Sequence, residues 1–168
     1  MALDQAIVGI VAAIIQLVVG LALAMGSVYI GLKLFDRMTK GIDEWKEILK
    51  GNVAVGILMA AVIFSIANVV QSGVGSLLSN LGASQPMDQM LIDLVLGLVN
   101  LLIGLAAAIF SIWVALKVLD RITKDVDEMK ELAKGNVAVA VIMAGVLLAV
   151  SFVIAAAVSG ISNALALI

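Results

Sequence analysis

The sequence predicts an all-α integral membrane protein whose four transmembrane helices form two parallel tandem repeats of a helical hairpin. Hydrophobic residues make up 64% of the 168 residues and charged residues 13%, whereas soluble domains contain roughly 45–50% and about 25%. Four stretches carry no charge, and they cover residues 5–32, 51–87, 94–116 and 135–168. Each exceeds the about 20 residues that a helix needs to cross a bilayer, so we expect four spans.

An internal repeat with a period of 84 residues organises these spans, since the run of residues 51–55 returns as residues 135–139. Repeat one covers 1–84, with spans at about 5–33 and 52–79 and a charged segment at 34–51. Repeat two covers 85–168, with spans at about 89–117 and 136–164 and a charged segment at 118–135. A fixed period marks a copied structural unit. Two helices alone bury little surface, so we expect all four to share one structural domain.

The orientation follows from the parity of the spans and from the distribution of charge. Each repeat has two spans, so both copies enter the membrane with the same polarity, which predicts a pseudo-two-fold axis along the membrane normal. All ten basic residues lie between Lys33 and Lys50 or between Lys117 and Lys134, on one side of the membrane. Because short basic loops stay in the cytoplasm, we expect a plasma-membrane protein with both termini outside. Pro86, in the linker, suits the start of the third span.

The charged segments are predicted to be helical, because apolar residues recur in them every three or four positions. Two arrangements fit: a continuation of the membrane helix, or a short separate helix lying along the interface. We favour the interrupted arrangement. Asp43 and Asp127 suit the start of such a helix, and the glycines that follow suit its end. The expected interaction surface consists of Trp45, Lys46, Glu47, Lys130 and Glu131.

The predicted break before the second span of each repeat is the sharpest local motif. Its residues are Lys50, Gly51 and Asn52 in repeat one and Lys134, Gly135 and Asn136 in repeat two. The structural interpretation is a helix end followed by an Asn that caps the next helix. The functional interpretation is a site for a lipid phosphate, because helix N-termini attract anions and a lysine stands beside each break.

Polar side chains near the middle of the spans form a second candidate group. They are Gln16, Ser65, Asn68, Gln71, Asn100 and Ser151. One interpretation is hydrogen bonding between helices, which contributes about 0.6 kcal/mol on average. The other is a polar site on the route of a solute or ion. Apart from Asp93, which we place at the outer interface, we expect no charged residue inside the membrane, which argues against active transport.

The composition also limits the chemistry and the partners that we expect. The chain has no cysteine and no histidine, which excludes disulfides and the metal sites that depend on those residues. No nucleophile–base pair is evident, so we expect no enzymatic activity and no cofactor. A net charge of −2 gives no basic surface for binding nucleic acid.

Small residues at four-residue spacing, such as Gly145 and Ala149, allow close helix contacts, so we expect a homo-oligomer surrounded by membrane lipids.

The run from Asp43 to Val55, repeated from Asp127 to Val139, resembles the YjfL-like inner-membrane proteins. The resemblance implies a small, duplicated, multi-spanning prokaryotic protein of unknown function, associated with envelope-stress gene neighbourhoods and without catalytic residues. The chain departs from that pattern at Met129, which stands where repeat one has Trp45.

The functional prediction is an oligomeric scaffold that meets a peripheral cytoplasmic protein or the lipid surface through its charged segments. The alternative is a passive channel or transporter that uses Gln16, Asn68 and Asn100.

Overall fold

The computed structural model describes residues 2–39, 42–80, 87–123 and 127–165, and within these residues the chain forms six α-helices. The four long helices are α1 (Ala2–Met38), α3 (Val53–Asn80), α4 (Met87–Ile122) and α6 (Val137–Leu165). Two short helices, α2 (Glu44–Leu49) and α5 (Glu128–Ala133), precede α3 and α6. Each long helix contains a segment long and apolar enough to cross a membrane, which confirms the all-α fold with four spans. Pro86 lies outside the described residues.

The first helix of each repeat runs past its predicted span, because the apolar stripe continues into the charged segment. The predicted spans end at about 33 and 117, whereas α1 ends at Met38 and α4 at Ile122. Phe35 and Leu119 lie in these extra turns and are buried. Each charged segment is thus divided between the end of a long helix and a short separate helix, as in the interrupted arrangement.

α3 lies at the centre of the bundle, where it packs against α6, α4 and α1. α4 also packs against α6, and α1 makes a smaller contact with α4. The buried side chains of α3 are almost all aliphatic, and they include Leu58, Val62, Ile66 and Val69. α1 is the least buried of the four spans. Much of the outer surface is apolar, which suits a bundle surrounded by lipid.

The contact between α3 and α6 joins different faces of the two repeats. Nδ2 of Asn68 lies 3.5 Å from Oγ of Ser151, and Oγ of Ser72 donates to the carbonyl of Ala155 at 3.3 Å. The contact advances by four residues on both helices, so α3 and α6 run parallel. The repeat equivalent of Asn68 is Phe152, and Phe152 is exposed. This pattern departs from the predicted two-fold relation, under which equivalent residues would be buried alike.

Candidate functional site

The candidate site consists of two elbows at one end of the bundle, elbow one (residues 43–52) and elbow two (residues 127–136). Each begins with an aspartate whose side chain caps the short helix. Oδ1 of Asp43 accepts from the backbone N–H of Lys46, and Oδ1 of Asp127 accepts from that of Lys130, both at 3.1 Å. A capping aspartate satisfies a backbone donor that has no partner within the helix. The predicted start of each short helix is confirmed.

Each short helix ends at a glycine in a left-handed backbone conformation. The φ angle is 84° at Gly51 and 81° at Gly135. The N–H of Gly51 donates to the carbonyl of Ile48 at 2.9 Å, and that of Asn52 donates to Glu47 at 3.0 Å. Elbow two has the same pair of bonds, which is the Schellman motif of a helix C-terminus. Glycine adopts this conformation without the steric cost that a Cβ brings, so the predicted break is confirmed.

The asparagine after each glycine caps the following membrane helix. Oδ1 of Asn52 accepts from the N–H of Val55 at 3.2 Å, and Oδ1 of Asn136 accepts from that of Val139 at 3.4 Å. Each amide group also donates to a glutamate of its own elbow. The structure thus provides the capping role that the sequence suggested. Binding of a lipid phosphate beside Lys50 and Lys134 stays a prediction.

Asn52 also joins the two elbows. Its Nδ2 donates to the carbonyl of Leu132 in α5 at 2.9 Å, and Leu132 is fully buried. Gly135 lies close by, since a Cβ at that position would stand 3.8 Å from Oδ1 of Asn52. The two charged segments therefore meet at the same end of the bundle, and they form one surface.

Ion pairs within each elbow fix the charge of this surface. Lys46 pairs with Asp43, and Lys130 with Asp127, both at 2.7 Å. Lys50 pairs with Glu47 at 2.6 Å, and Lys134 with Glu131 at 2.7 Å. Pairs of this kind are screened by water, so their contribution to stability is small.

These pairs lower the pKa values of their four carboxyl groups and raise those of Lys46 and Lys130. The Lys46 side chain lowers the pKa of Asp43, and Asp43 in turn raises the pKa of Lys46. The pKa of Glu47 is lowered by the Lys50 ammonium and then by the Asn52 amide. In elbow two the order differs, because Asn136 contributes more than Lys134 to the lowered pKa of Glu131. Asp127 and Lys130 behave like Asp43 and Lys46.

The predicted interaction residues divide into exposed and structural members. Lys46 and Lys130 are exposed, and so are Trp45 and Leu49. Glu47 and Glu131 instead point into their own elbows, where they hold the asparagine and the lysine. The lysines and the tryptophan are therefore the accessible members of this group, whereas the glutamates are held within the elbows.

Two of the six polar candidates within the spans contact each other between helices. Asn68 and Ser151 contact each other across α3 and α6, and Ser151 also donates to the carbonyl of Leu148 at 2.8 Å. Ser65 and Asn100 are buried in α3 and α4, whereas Gln71 is exposed. Oγ of Ser65 has no hydrogen-bond partner among the described residues. The side chain of Gln16 lies outside them.

Two further polar contacts involve residues outside the predicted candidates. Thr39, at the end of α1, donates to the carboxylate of Glu44, and both residues are buried. The recurrence of this pair as Thr123 and Glu128 is the signal that could have revealed it. Oγ of Ser159 donates to Oγ of Ser72 at 3.0 Å, which extends the polar contact between α6 and α3. Serines are common in alanine-rich spans, so their spacing gave no comparable signal.

The helices and their hydropathy define a multi-pass helical membrane protein. A family model for a domain of unknown function, DUF350, matches the chain twice, at residues 6–99 and 93–168. The chain therefore belongs to the DUF350 family. The double match agrees with the duplicated unit in the sequence. No curated protein and no solved structure matches the chain.

Proposed function

We propose that this protein is a non-enzymatic, oligomeric membrane scaffold that recruits a peripheral partner through its two elbows. The hydrogen bond from Nδ2 of Asn52 to the carbonyl of Leu132 supports the proposal most directly, because it unites the elbows into one surface. That surface combines exposed cations, Lys46 and Lys130, with the exposed apolar side chains of Trp45 and Leu49. Such a mixture suits a peripheral partner protein that docks beside the lipid headgroups through apolar contacts and charge pairs.

The location that we propose is the plasma membrane of a prokaryote, with the elbows in the cytoplasm and both termini outside. The charge distribution supports it, because every Lys and Arg of the chain lies within residues 33–50 or 117–134 and basic loops remain cytoplasmic. The relation to the YjfL-like proteins, and with it a role in the envelope-stress response, belongs to the same proposal.

The shifted pKa values support a role other than catalysis. A general acid or base works best when its pKa lies near the operating pH. In the elbows the affected carboxyl pKa values are lowered and those of Lys46 and Lys130 are raised. These groups therefore keep their charges at neutral pH, as suits a binding surface.

A photo-crosslinking experiment in living cells tests the scaffold. A photoreactive residue replaces Leu49, which is 86% exposed, and cytosolic products are compared between two charge variants. Lys46→Gln with Lys130→Gln is expected to abolish the product, while native mass measurement shows an unchanged assembly. Lys33→Gln with Lys117→Gln is the matched control, because it removes the same charge away from the elbows. A product that survives the elbow substitutions would overturn the proposal.

A passive channel or transporter is the second candidate, and buried polar atoms within the spans support it. Ser65 and Asn100 place polar side chains inside the spans, and Oγ of Ser65 has no partner among the described residues. Reconstituted liposomes test this candidate. It predicts a flux of ions or small solutes that Gln16→Leu with Asn100→Leu removes, and the lack of any flux would reject it.

A further inference from the structure

A stripe that is buried on α3 is exposed on α6, although the two helices are copies of one unit. The stripe on α3 consists of Ala54, Leu58, Ala61, Ser65 and Val69, all buried. Their repeat equivalents on α6 are Ala138, Ile142, Gly145, Ala149 and Val153, all exposed.

The difference in environment is large at the bulky positions of the stripe. Leu58 is 2% exposed and Ile142 59%, while Val69 is 0% exposed and Val153 70%. The sequence nevertheless keeps the same order of sizes on both helices, with small residues at three equivalent positions and large ones at two. Small residues let membrane helices approach closely. α6 therefore carries a face built for a helix contact that the single chain leaves open.

The opposite face shows the converse pattern. α6 buries Ala140, Leu147 and Ser151, and Ser151 meets Asn68 of α3. The equivalents of Leu147 and Ser151 on α3 are Ile63 and Ala67, and both are exposed. The face through which α6 binds α3 is therefore exposed at the equivalent positions of α3.

The first helices of the two repeats, α1 and α4, also differ in what they bury. α4 packs against α6 of its own repeat and also against α3 of the preceding repeat. α1 packs against α3 of its own repeat, and Leu17 on α1 is 69% exposed, whereas its equivalent Leu101 on α4 is 8% exposed. Among the described residues, α1 makes no comparable contact with α6.

We propose that copies of this chain assemble head to tail, with the interface between chains repeating the interface between the two repeats. Within one chain, α6 and α4 of repeat two pack on α3 of repeat one. Between chains, α3 and α1 of the next copy pack in the same way on the open face of α6. Because the two surfaces differ, the contact is heterologous and generates a ring or an open array rather than a two-fold dimer. The proposal deepens the oligomeric part of the proposed function, since it names the surfaces that join the subunits.

Disulfide trapping between differently tagged copies tests the arrangement, and the lack of cysteine in the chain makes every thiol an introduced one. By repeat equivalence, the contact of Asn68 with Ser151 becomes a contact of Phe152 with Ala67 of the next copy. Co-expressed Ala67→Cys and Phe152→Cys chains are expected to form a mixed disulfide as the main product. Asn68→Cys with Ser151→Cys in one chain is the positive control. Leu102→Cys with Phe152→Cys is the negative control, because Leu102 and its equivalent Val18 are both exposed.

A second variant keeps the test decisive if a disulfide fails to form for chemical reasons. Gly145 and Gly26 are both exposed, and nothing lies within 4 Å of a Cβ at either position, so a side chain added there extends into open space in the single chain. Gly145→Leu is expected to reduce the assembly in lipid nanodiscs to monomers, whereas Gly26→Leu leaves its mass unchanged.

Three outcomes would overturn the arrangement. The first is a disulfide between two Phe152→Cys chains as the main product. The second is an assembly whose mass Gly145→Leu does not change, and the third is a wild-type protein that is monomeric in nanodiscs. A failure of the head-to-tail arrangement is distinguishable from a failure of the scaffold function. Crosslinking at Leu49 detects a partner at the elbows, whereas the disulfide and mass measurements detect the interface within the membrane.

Discussion

Gly31 of α1 lies directly against Ile66 of α3, so that a Cβ at position 31 would stand only 2.6 Å from Cδ1 of Ile66. Both residues are buried, and two further atoms of Ile66 lie 3.1 and 3.2 Å from the same point. The repeat equivalents are Ala115 and Val150. Ala115 has one methyl group more than Gly31, and Val150 has one methylene group fewer than Ile66, so the two positions together keep the same volume in both copies.

Gly31→Ala is expected to destabilise the bundle, because the added methyl group forces α1 away from α3 or Ile66 out of its rotamer. Overpacking of this kind costs about 1–3 kcal/mol. The second substitution Ile66→Val, which recreates the pair found in repeat two, is expected to restore most of the loss. Thermal unfolding in detergent measures both effects.

Gly26→Ala is the matched control for this prediction, because nothing lies within 4 Å of a Cβ at position 26. It is expected to leave stability unchanged or to raise it slightly, since alanine is the better helix former. A Gly31→Ala variant that is as stable as Gly26→Ala would contradict the close packing of α1 on α3.

The left-handed glycines of the elbows give a second prediction. Gly51→Ala and Gly135→Ala are each expected to lower stability by roughly 1–2 kcal/mol, the cost of placing a Cβ in that backbone region. Gly56→Ala serves as control, because Gly56 lies in α3 with free space around its Cβ position. Hydrogen exchange of the amides in α2 and α5 measures the effect. Equal exchange in Gly51→Ala and Gly56→Ala would show that the helix break does not depend on glycine.

Substitution of the two capping asparagines distinguishes the effect of losing a helix cap from the effect of losing the bond between the repeats. Both Asn52→Ala and Asn136→Ala lose a cap, which costs about 1 kcal/mol. Asn52→Ala additionally loses its bond to the carbonyl of Leu132, worth about 0.5–1.5 kcal/mol. In chemical unfolding in detergent, the free energy of unfolding of Asn52→Ala is expected to be lower than that of Asn136→Ala by that amount. If Asn136→Ala proves equally harmful, the bond between the elbows contributes nothing to stability.

Acid is expected to loosen elbow one, because the pKa of Glu47 in the fold lies below its ordinary value of 4.5. A carboxylate with a lowered pKa stabilises the fold above the ordinary value, and that contribution disappears as the pH falls through the lowered one. In a Trp113→Phe background the fluorescence of Trp45 reports the change, since the chain has two tryptophans.

Two variants assign that transition. Glu47→Gln is expected to remove it, because the glutamine keeps an acceptor for Asn52 but loses the charge that pairs with Lys50. Glu131→Gln alters the other elbow in the same way and is expected to leave the Trp45 transition in place. A transition that persists in Glu47→Gln would assign the acid response to another group.

Local features of this protein could be predicted from the sequence, because short stretches determine them. The four spans follow from the charge-free stretches, and the capping by Asp43 and the break at Gly51 follow from residues that adjoin each other. The bond from Asn52 to Leu132 could not be predicted, since it joins residues 80 positions apart. Nor could the contrast between Leu58 and Ile142, because equivalent residues of a repeat acquire different neighbours only once the helices pack.

Thiol labelling of the elbows tests the central claim, that both charged segments lie at the cytoplasmic end of a four-span bundle. Lys46→Cys and Lys130→Cys are compared with Ser84→Cys, which lies between the repeats, using a reagent that does not cross membranes. In intact cells only the Ser84→Cys variant is expected to react, and in inverted membrane vesicles only the two elbow variants. Reaction of one elbow from outside and the other from inside would contradict the account, as would reaction of both from outside.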